Sequence, residues 1–167
     1  MTGQQQDSMK FLTMEEAYAI DGAMLSTMEK FMTRIAISSL RVLTHIAQAY
    51  GIPGEALQPS QIVQWIEQDS QIRREKGKDA AFLNWAKEEE ELDFADDRND
   101  EVTGAALSSD EKFLTRMTIS AMQVLIPIAK DYGVSMETLT VSQIIAWVEK
   151  DAKLKREQGQ EAGFLQW

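Results

Sequence analysis

Two matched pairs of side chains are the residues of this sequence best suited to binding. Arg34 and Arg116 occupy equivalent positions in two similar stretches, and Trp85 and Trp167 end those stretches. A guanidinium group recognises carboxylates and other anions, and an indole ring anchors a protein partner. The plainer interpretation is that the arginine stems pack on the core, with their heads in water or paired to an acid such as Glu67 or Glu149, while the tryptophans pack in the core or between modules.

The sequence contains no set of residues that points to catalysis. It has no cysteine, which excludes disulfides, thiolate catalysis and Cys-ligated zinc and fits a reducing compartment. His45 is the only histidine, so a single chain cannot build a Ser-His or multi-histidine site. Acidic residues from Asp97 approach the spacing of a calcium loop, but Val102 stands where that loop needs glycine. We therefore expect no enzyme activity, no metal site and no cofactor.

These residues belong to an internal repeat. Residues 22–85 align without gaps on residues 104–167 at an offset of 82, and 32 of the 64 aligned pairs are identical. The strings SQIVQWIEQD and SQIIAWVEKD illustrate the match, which indicates a tandem duplication of one module. The predicted organisation is an N-terminal extension with a short helix (1–21), a first module (22–85), an acidic linker or helix extension (86–103) and a second module (104–167).

Each module is predicted to contain three helices. In both copies a capping box precedes a run of apolar residues at helical spacing, and a glycine follows about 24 residues later. The boxes are Ser26 to Glu29 and Ser108 to Glu111, and the glycines are Gly51 and Gly133. A second helix starts at Pro59 in one copy and after Thr140 in the other, and a short third helix leads to the terminal tryptophan.

The long first helix carries apolar residues on more than one face, so a lone module would leave apolar surface exposed. We therefore predict an all-α fold in which the two modules pack about a pseudo-twofold axis, plus an N-terminal helix. This fusion supplies a pseudo-dimer within one chain, and further homo-oligomerisation stays open. Pro127 replaces His45 in the second copy and is predicted to bend its long helix.

Charge and hydropathy narrow the classes of partner. The net charge is 17 − 27 = −10, and residues 86–103 supply −7 of it, because they hold nine acidic and two basic residues. This balance disfavours nonspecific binding to nucleic acid or anionic membranes. No apolar run approaches the roughly 18 to 20 residues that a membrane span needs, and the first ten residues lack signal-peptide features, so we expect a cytoplasmic protein.

The stretch IAKDYGVSMETLTVSQII resembles a helix-turn-helix motif in its small, turn and core positions. Its would-be reading element, residues 135–142, contains no lysine or arginine, so contacts to phosphates and guanines would be missing. We therefore interpret this stretch as a packing corner and expect no binding to duplex DNA.

The sequence thus predicts a noncatalytic protein-binding adaptor or stoichiometric inhibitor that acts through helical surfaces. One alternative is binding or sequestration of a small anionic ligand between the modules, with Arg34 and Arg116 facing the anion. The other is a degenerate helix-turn-helix transcriptional regulator. A protein partner is expected in the first case, whereas a ligand released on denaturation would support the second.

Overall fold

A computed structural model describes residues 12–83 and 102–165 of the chain. These residues form five α-helices and no strand, which confirms the all-α class. The helices are α1 (Met14–Asp21), α2 (Thr27–Tyr50), α3 (Pro59–Lys76), α4 (Ser109–Tyr132) and α5 (Val141–Gln158). No helix in this part of the chain combines the length and hydropathy that a membrane crossing requires.

The long helices α2 and α4 have the predicted bounds. Each spans 24 residues and begins at a complete capping box. In each box the serine hydroxyl accepts a hydrogen bond from the backbone N–H of the glutamate, and the glutamate side chain accepts one from the backbone N–H of the serine. Each ends at a left-handed glycine, Gly51 with φ 69° and Gly133 with φ 70°, a conformation that only glycine adopts without strain. α4 continues through Pro127 as one α-helix, and the predicted bend stays a prediction.

The shorter helices also follow their sequence signals, with one correction. α1 starts at the Thr13–Glu16 capping box, and α3 has Pro59 at its first position. The predicted third helix of each module is wrong as an α-helix, because the described chain forms only the 3₁₀ turns Lys78–Ala80 and Gln160–Ala162 before it extends. Gly77 and Gly159, with φ 97° and 105°, separate these turns from α3 and α5, so each helix must end there.

The core lies where α2 and α4 pack against each other, which is the most extensive contact between any two of the described elements. The prediction that the two long helices bury apolar faces against each other is therefore confirmed. Their fully buried side chains include Ile37, Leu43, Ile46, Leu125 and Ile128. Since each helix also packs on its own module, neither half could bury these faces alone.

Four hydrogen bonds between the modules occur as reciprocal pairs. Glu137 Oε2 accepts from the Gly54 amide at 2.5 Å, and Glu55 Oε2 accepts from the Met136 amide at 2.9 Å. In the same way, Glu149 accepts from the Met24 amide at 2.9 Å and Glu67 from the Ala106 amide at 2.8 Å. Each member of a pair lies 82 residues from its counterpart, the relation that a pseudo-twofold axis requires.

One buried ion pair between the modules has no counterpart. Arg73 on α3 pairs with Glu111 at the start of α4, and the Ser70 hydroxyl donates to Glu111 Oε2 at 2.9 Å. Burial opposes ionisation of Glu111, but the Ser108 amide, the Ser70 hydroxyl and the Arg73 guanidinium together hold its pKa below the ordinary value of 4.5. Arg73 also pairs with Asp69 at 3.6 Å, as the equivalent Lys155 does with Asp151 at 3.5 Å, and Glu29, at the position equivalent to Glu111, caps α2.

Candidate binding groove of the second module

The two arginines predicted to bind an anion are engaged by residues that directly precede their own modules. Arg34 forms an ion pair with Asp21 at the end of α1, and Arg116 Nη2 donates to Thr103 Oγ1 at 2.6 Å. Glu67, the acid suggested from sequence, accepts a backbone amide of the other module instead. The role of Arg34 and Arg116 in binding stays a prediction, and Trp85 and Trp167 lie outside the described residues.

α1 covers one side of α2 in the first module. Arg41 of α2 donates to both carboxylate oxygens of Glu16, at 3.0 and 2.6 Å, and this bond lowers the pKa of Glu16. Ile20 is fully buried beneath the helix. The equivalent face of α4 carries Gln123 in place of Arg41, and Gln123 lines an open cavity.

The first module contains an aromatic cluster beside α2, about one helical turn after Arg41. The imidazole of His45 stacks on the Phe82 ring, with ring centroids 3.8 Å apart and planes at 8°, and it meets the edge of Trp65 at 5.3 Å. Trp65 and Phe82 themselves meet edge to face at 6.0 Å. His45 thus occupies the space that these two rings leave beside α2.

The second module keeps the two rings and lacks the imidazole. Trp147 and Phe164 meet edge to face at 5.9 Å and 80°, closely matching the 6.0 Å and 81° of Trp65 and Phe82. Pro127 stands where His45 would, and Phe164 is 57% exposed. A groove of about 740 Å³ opens beside these rings, and its lining includes Tyr132, Trp147, Lys150, Leu154, Phe164 and Asp131.

Two carboxylates position the walls of this groove. Asp151 is buried on α5 and accepts the backbone amides of Phe164 and Leu165, at 2.5 and 3.1 Å, so it fixes the aromatic segment against the helix. Asp131 accepts the Trp147 indole N–H at 2.8 Å and remains exposed on the groove wall. The first module has an equivalent of Asp151, Asp69, but Ala49 at the position of Asp131.

A second cavity adjoins the groove at Phe164, which lines both. This cavity has a volume of about 470 Å³ and lies between α2, α4 and the end of the second module. Its lining is mainly apolar and includes Met32, Ile35, Met117, Val124 and Leu165. Methionine side chains adapt their shape to different apolar surfaces, which suits a site that receives a polypeptide segment.

More apolar side chains are exposed near the start of α2. Met24, Met28 and Phe31 are 71%, 58% and 43% exposed; Met28 and Phe31 lie three residues apart on α2, and Met24 lies in the segment just before the helix. Contiguous exposed apolar surface is typical of protein interaction sites. Sequence reasoning missed this surface and the groove, although the replacements of His45 by Pro127 and of Ala49 by Asp131 were visible in the alignment of the modules.

The corner that resembles a helix-turn-helix is a contact between modules. The 3₁₀ turns Gly54–Ala56 and Met136–Thr138 pack on each other, Met136 is fully buried, and Glu55 and Glu137 make the reciprocal bonds described above. One residue of each turn, Gly54 and Met136, is therefore buried at this contact, whereas Glu55, Ala56 and Thr138 stay exposed. Among residues 12–83 and 102–165, no three His, Asp or Glu side chains converge to hold a metal ion.

Comparison with known protein families shows a match that covers both halves of the chain. The family model described as NDH complex assembly factor CRR9 matches residues 12–93 and, separately, residues 94–167. The first match includes α1 together with the first module, and the second covers the second module and the residues that precede it. No curated protein and no solved structure matches the chain.

Proposed function

The chain belongs to the family of the NDH complex assembly factor CRR9, and on that premise we propose that it assists assembly of an NDH complex by binding one of its protein components. The observation that carries this proposal is the family match, which extends over 12–93 and 94–167. Of the two predicted roles, adaptor and inhibitor, the family match favours an adaptor that acts during assembly.

The geometry of the second module supports a role in protein binding. An assembly factor acts through binding energy, so it needs surface that a partner can cover. The groove beside Trp147, the apolar cavity that shares Phe164, and the exposed Met24, Met28 and Phe31 offer such surface. Assembly factors are noncatalytic, which agrees with the lack of catalytic motifs in the sequence.

The two alternatives receive no comparable support. An anion held between Arg34 and Arg116 would have to displace Asp21 and Thr103 from the guanidinium groups. A transcriptional regulator would have to read DNA through corners whose 3₁₀ turns pack on each other and whose residues 135–142 include no lysine or arginine. Protein binding therefore stays the preferred function.

Two measurements in the native host test this proposal. Deletion of the gene should reduce the amount of assembled NDH complex on native gels, and the wild-type chain should restore it. Affinity capture of the tagged full-length chain should enrich one or more NDH subunits over the tag alone, as quantified by mass spectrometry. A normal level of complex after deletion, with no enriched subunit, would refute the proposal. Fractionation of the same lysate tests the predicted cytoplasmic location.

A further inference from the structure

We propose that the groove of the second module, lined by Tyr132, Trp147, Phe164 and Asp131, binds an arginine side chain presented by the protein partner. This inference rests on the proposed function, because it names the chemistry by which a partner segment would be recognised. The guanidinium would stack on Phe164 and pair with Asp131.

The first module shows which group fits against this pair of rings. There the planar imidazole of His45 lies on Phe82 at 3.8 Å with the edge of Trp65 beside it. The second module keeps the ring pair at nearly the same distance and angle, but Pro127 supplies no planar group. Phe164 is 57% exposed and lines the groove, so its ring is open to a planar nitrogen-containing group from another molecule.

Charge selects a cation for this position. Asp131 stands where the first module has Ala49, and the indole of Trp147 holds its carboxylate at the groove wall. Three aromatic side chains and one exposed carboxylate favour a cation that both stacks and pairs. Arginine meets both requirements, since its planar guanidinium stacks on rings and donates in a fork to carboxylates.

The same lining limits the occupant to one basic residue. Lys150 also lines the groove, in place of Gln68 of the first module, and its ammonium repels any cation close to it, so a guanidinium is held only where it contacts Asp131 directly. Beyond Phe164, the cavity between α2 and α4 is apolar and bounded by Met32 and Met117. The occupant that fits both spaces is a polypeptide segment with one arginine beside apolar residues.

Titration of the full chain with Nα-acetyl-arginine amide, followed by NMR, tests the arginine site directly. The indole N–H resonance of Trp147 should shift and saturate with a Kd in the millimolar range, while that of Trp65 in the first module stays in place. The matching citrulline amide has the same shape without the charge and should give no saturable shift. Equal responses to the two compounds, or no saturable response to arginine, would overturn the proposal.

Two variants test the site without depending on each other. Asp131→Asn keeps an acceptor for the Trp147 indole and removes the charge, so it should weaken binding about tenfold or more. Pro127→His copies the first module and should close the Phe164 face with the chain's own imidazole, which abolishes the shift. Wild-type affinity in Asp131→Asn would contradict the ion pair even if Pro127→His fails to fold.

Capture from the host separates this inference from the proposed function. NDH subunits should be enriched by the wild-type chain and lost from Asp131→Asn. If both chains capture them equally, the arginine site is refuted and the assembly role stands. If the arginine amide binds as expected and no NDH subunit is captured, the site stands and the assembly role fails.

Discussion

Replacing Glu111 with glutamine should lower the free energy of unfolding by about 3 kcal/mol, because it removes one partner of a buried ion pair. Glu111 is 5% exposed and accepts from Arg73 and Ser70 across the contact between the modules. Loss of one member of such a pair typically costs 3 to 5 kcal/mol. Glutamine has one acceptor oxygen, which can still cap α4 at the Ser108 amide but cannot then also accept from Ser70. Because the cap is kept, we expect the lower end of this range.

Glu29 provides the matched control. It is the residue equivalent to Glu111 in the first module and closes the same capping box, with a serine amide at 2.8 Å in each case. Glu29→Gln loses the same interaction with the helix dipole, about 0.3 to 1 kcal/mol, and no ion pair. The difference between the two variants therefore reports the contacts of Glu111 with α3, which are the ion pair with Arg73 and the hydrogen bond from Ser70.

Chemical denaturation followed by tryptophan fluorescence measures both variants, and thermal melting should show a decrease of roughly 6 to 12 °C for Glu111→Gln. A double-mutant cycle that combines Glu111→Gln with Arg73→Met should give a coupling energy well above its experimental error, since the side chains of Glu111 and Arg73 contact each other. Equal destabilisation by Glu111→Gln and Glu29→Gln would show that the ion pair contributes nothing to the contact between the modules.

The lowered pKa of Glu111 predicts that stability is retained above pH 4.5 and decreases as the pH falls through its folded-state value; acid titration of Glu111→Gln should show a weaker decrease. Asp151→Asn should accelerate hydrogen exchange at the amides of Phe164 and Leu165, because one of the two acceptors becomes a donor; unchanged exchange would mean that other contacts hold this segment. Pro127→Ala should raise the free energy of unfolding by up to about 3 kcal/mol in urea titrations, and a lower value would count against a helix penalty at this position. A mobility-shift titration at about 150 mM salt should show no retardation of duplex DNA, and tight salt-sensitive binding would favour the regulator.

Helix positions were predictable from sequence because local interactions set them. The serine and glutamate of a capping box lie three residues apart, and a left-handed glycine ends a helix within one turn. These signals gave the bounds of α2 and α4 and the start of α1 correctly. They failed after Gly77 and Gly159, where Asp69 and Asp151 hold the extended chain through bonds that span 13 and 14 residues.

By itself, the sequence determined the repeat, the all-α class and the need for two modules to cover each other, since these depend on pattern and spacing along one chain. Only the tertiary structure decided which partner each side chain meets. It joined Arg34 to Asp21, Arg73 to Glu111 and Asp131 to Trp147, pairs separated by 13 to 38 residues. The groove exists because Asp131, Trp147 and Phe164 come together in space, and the shape and charge of such a site depend on distances that chain spacing does not specify.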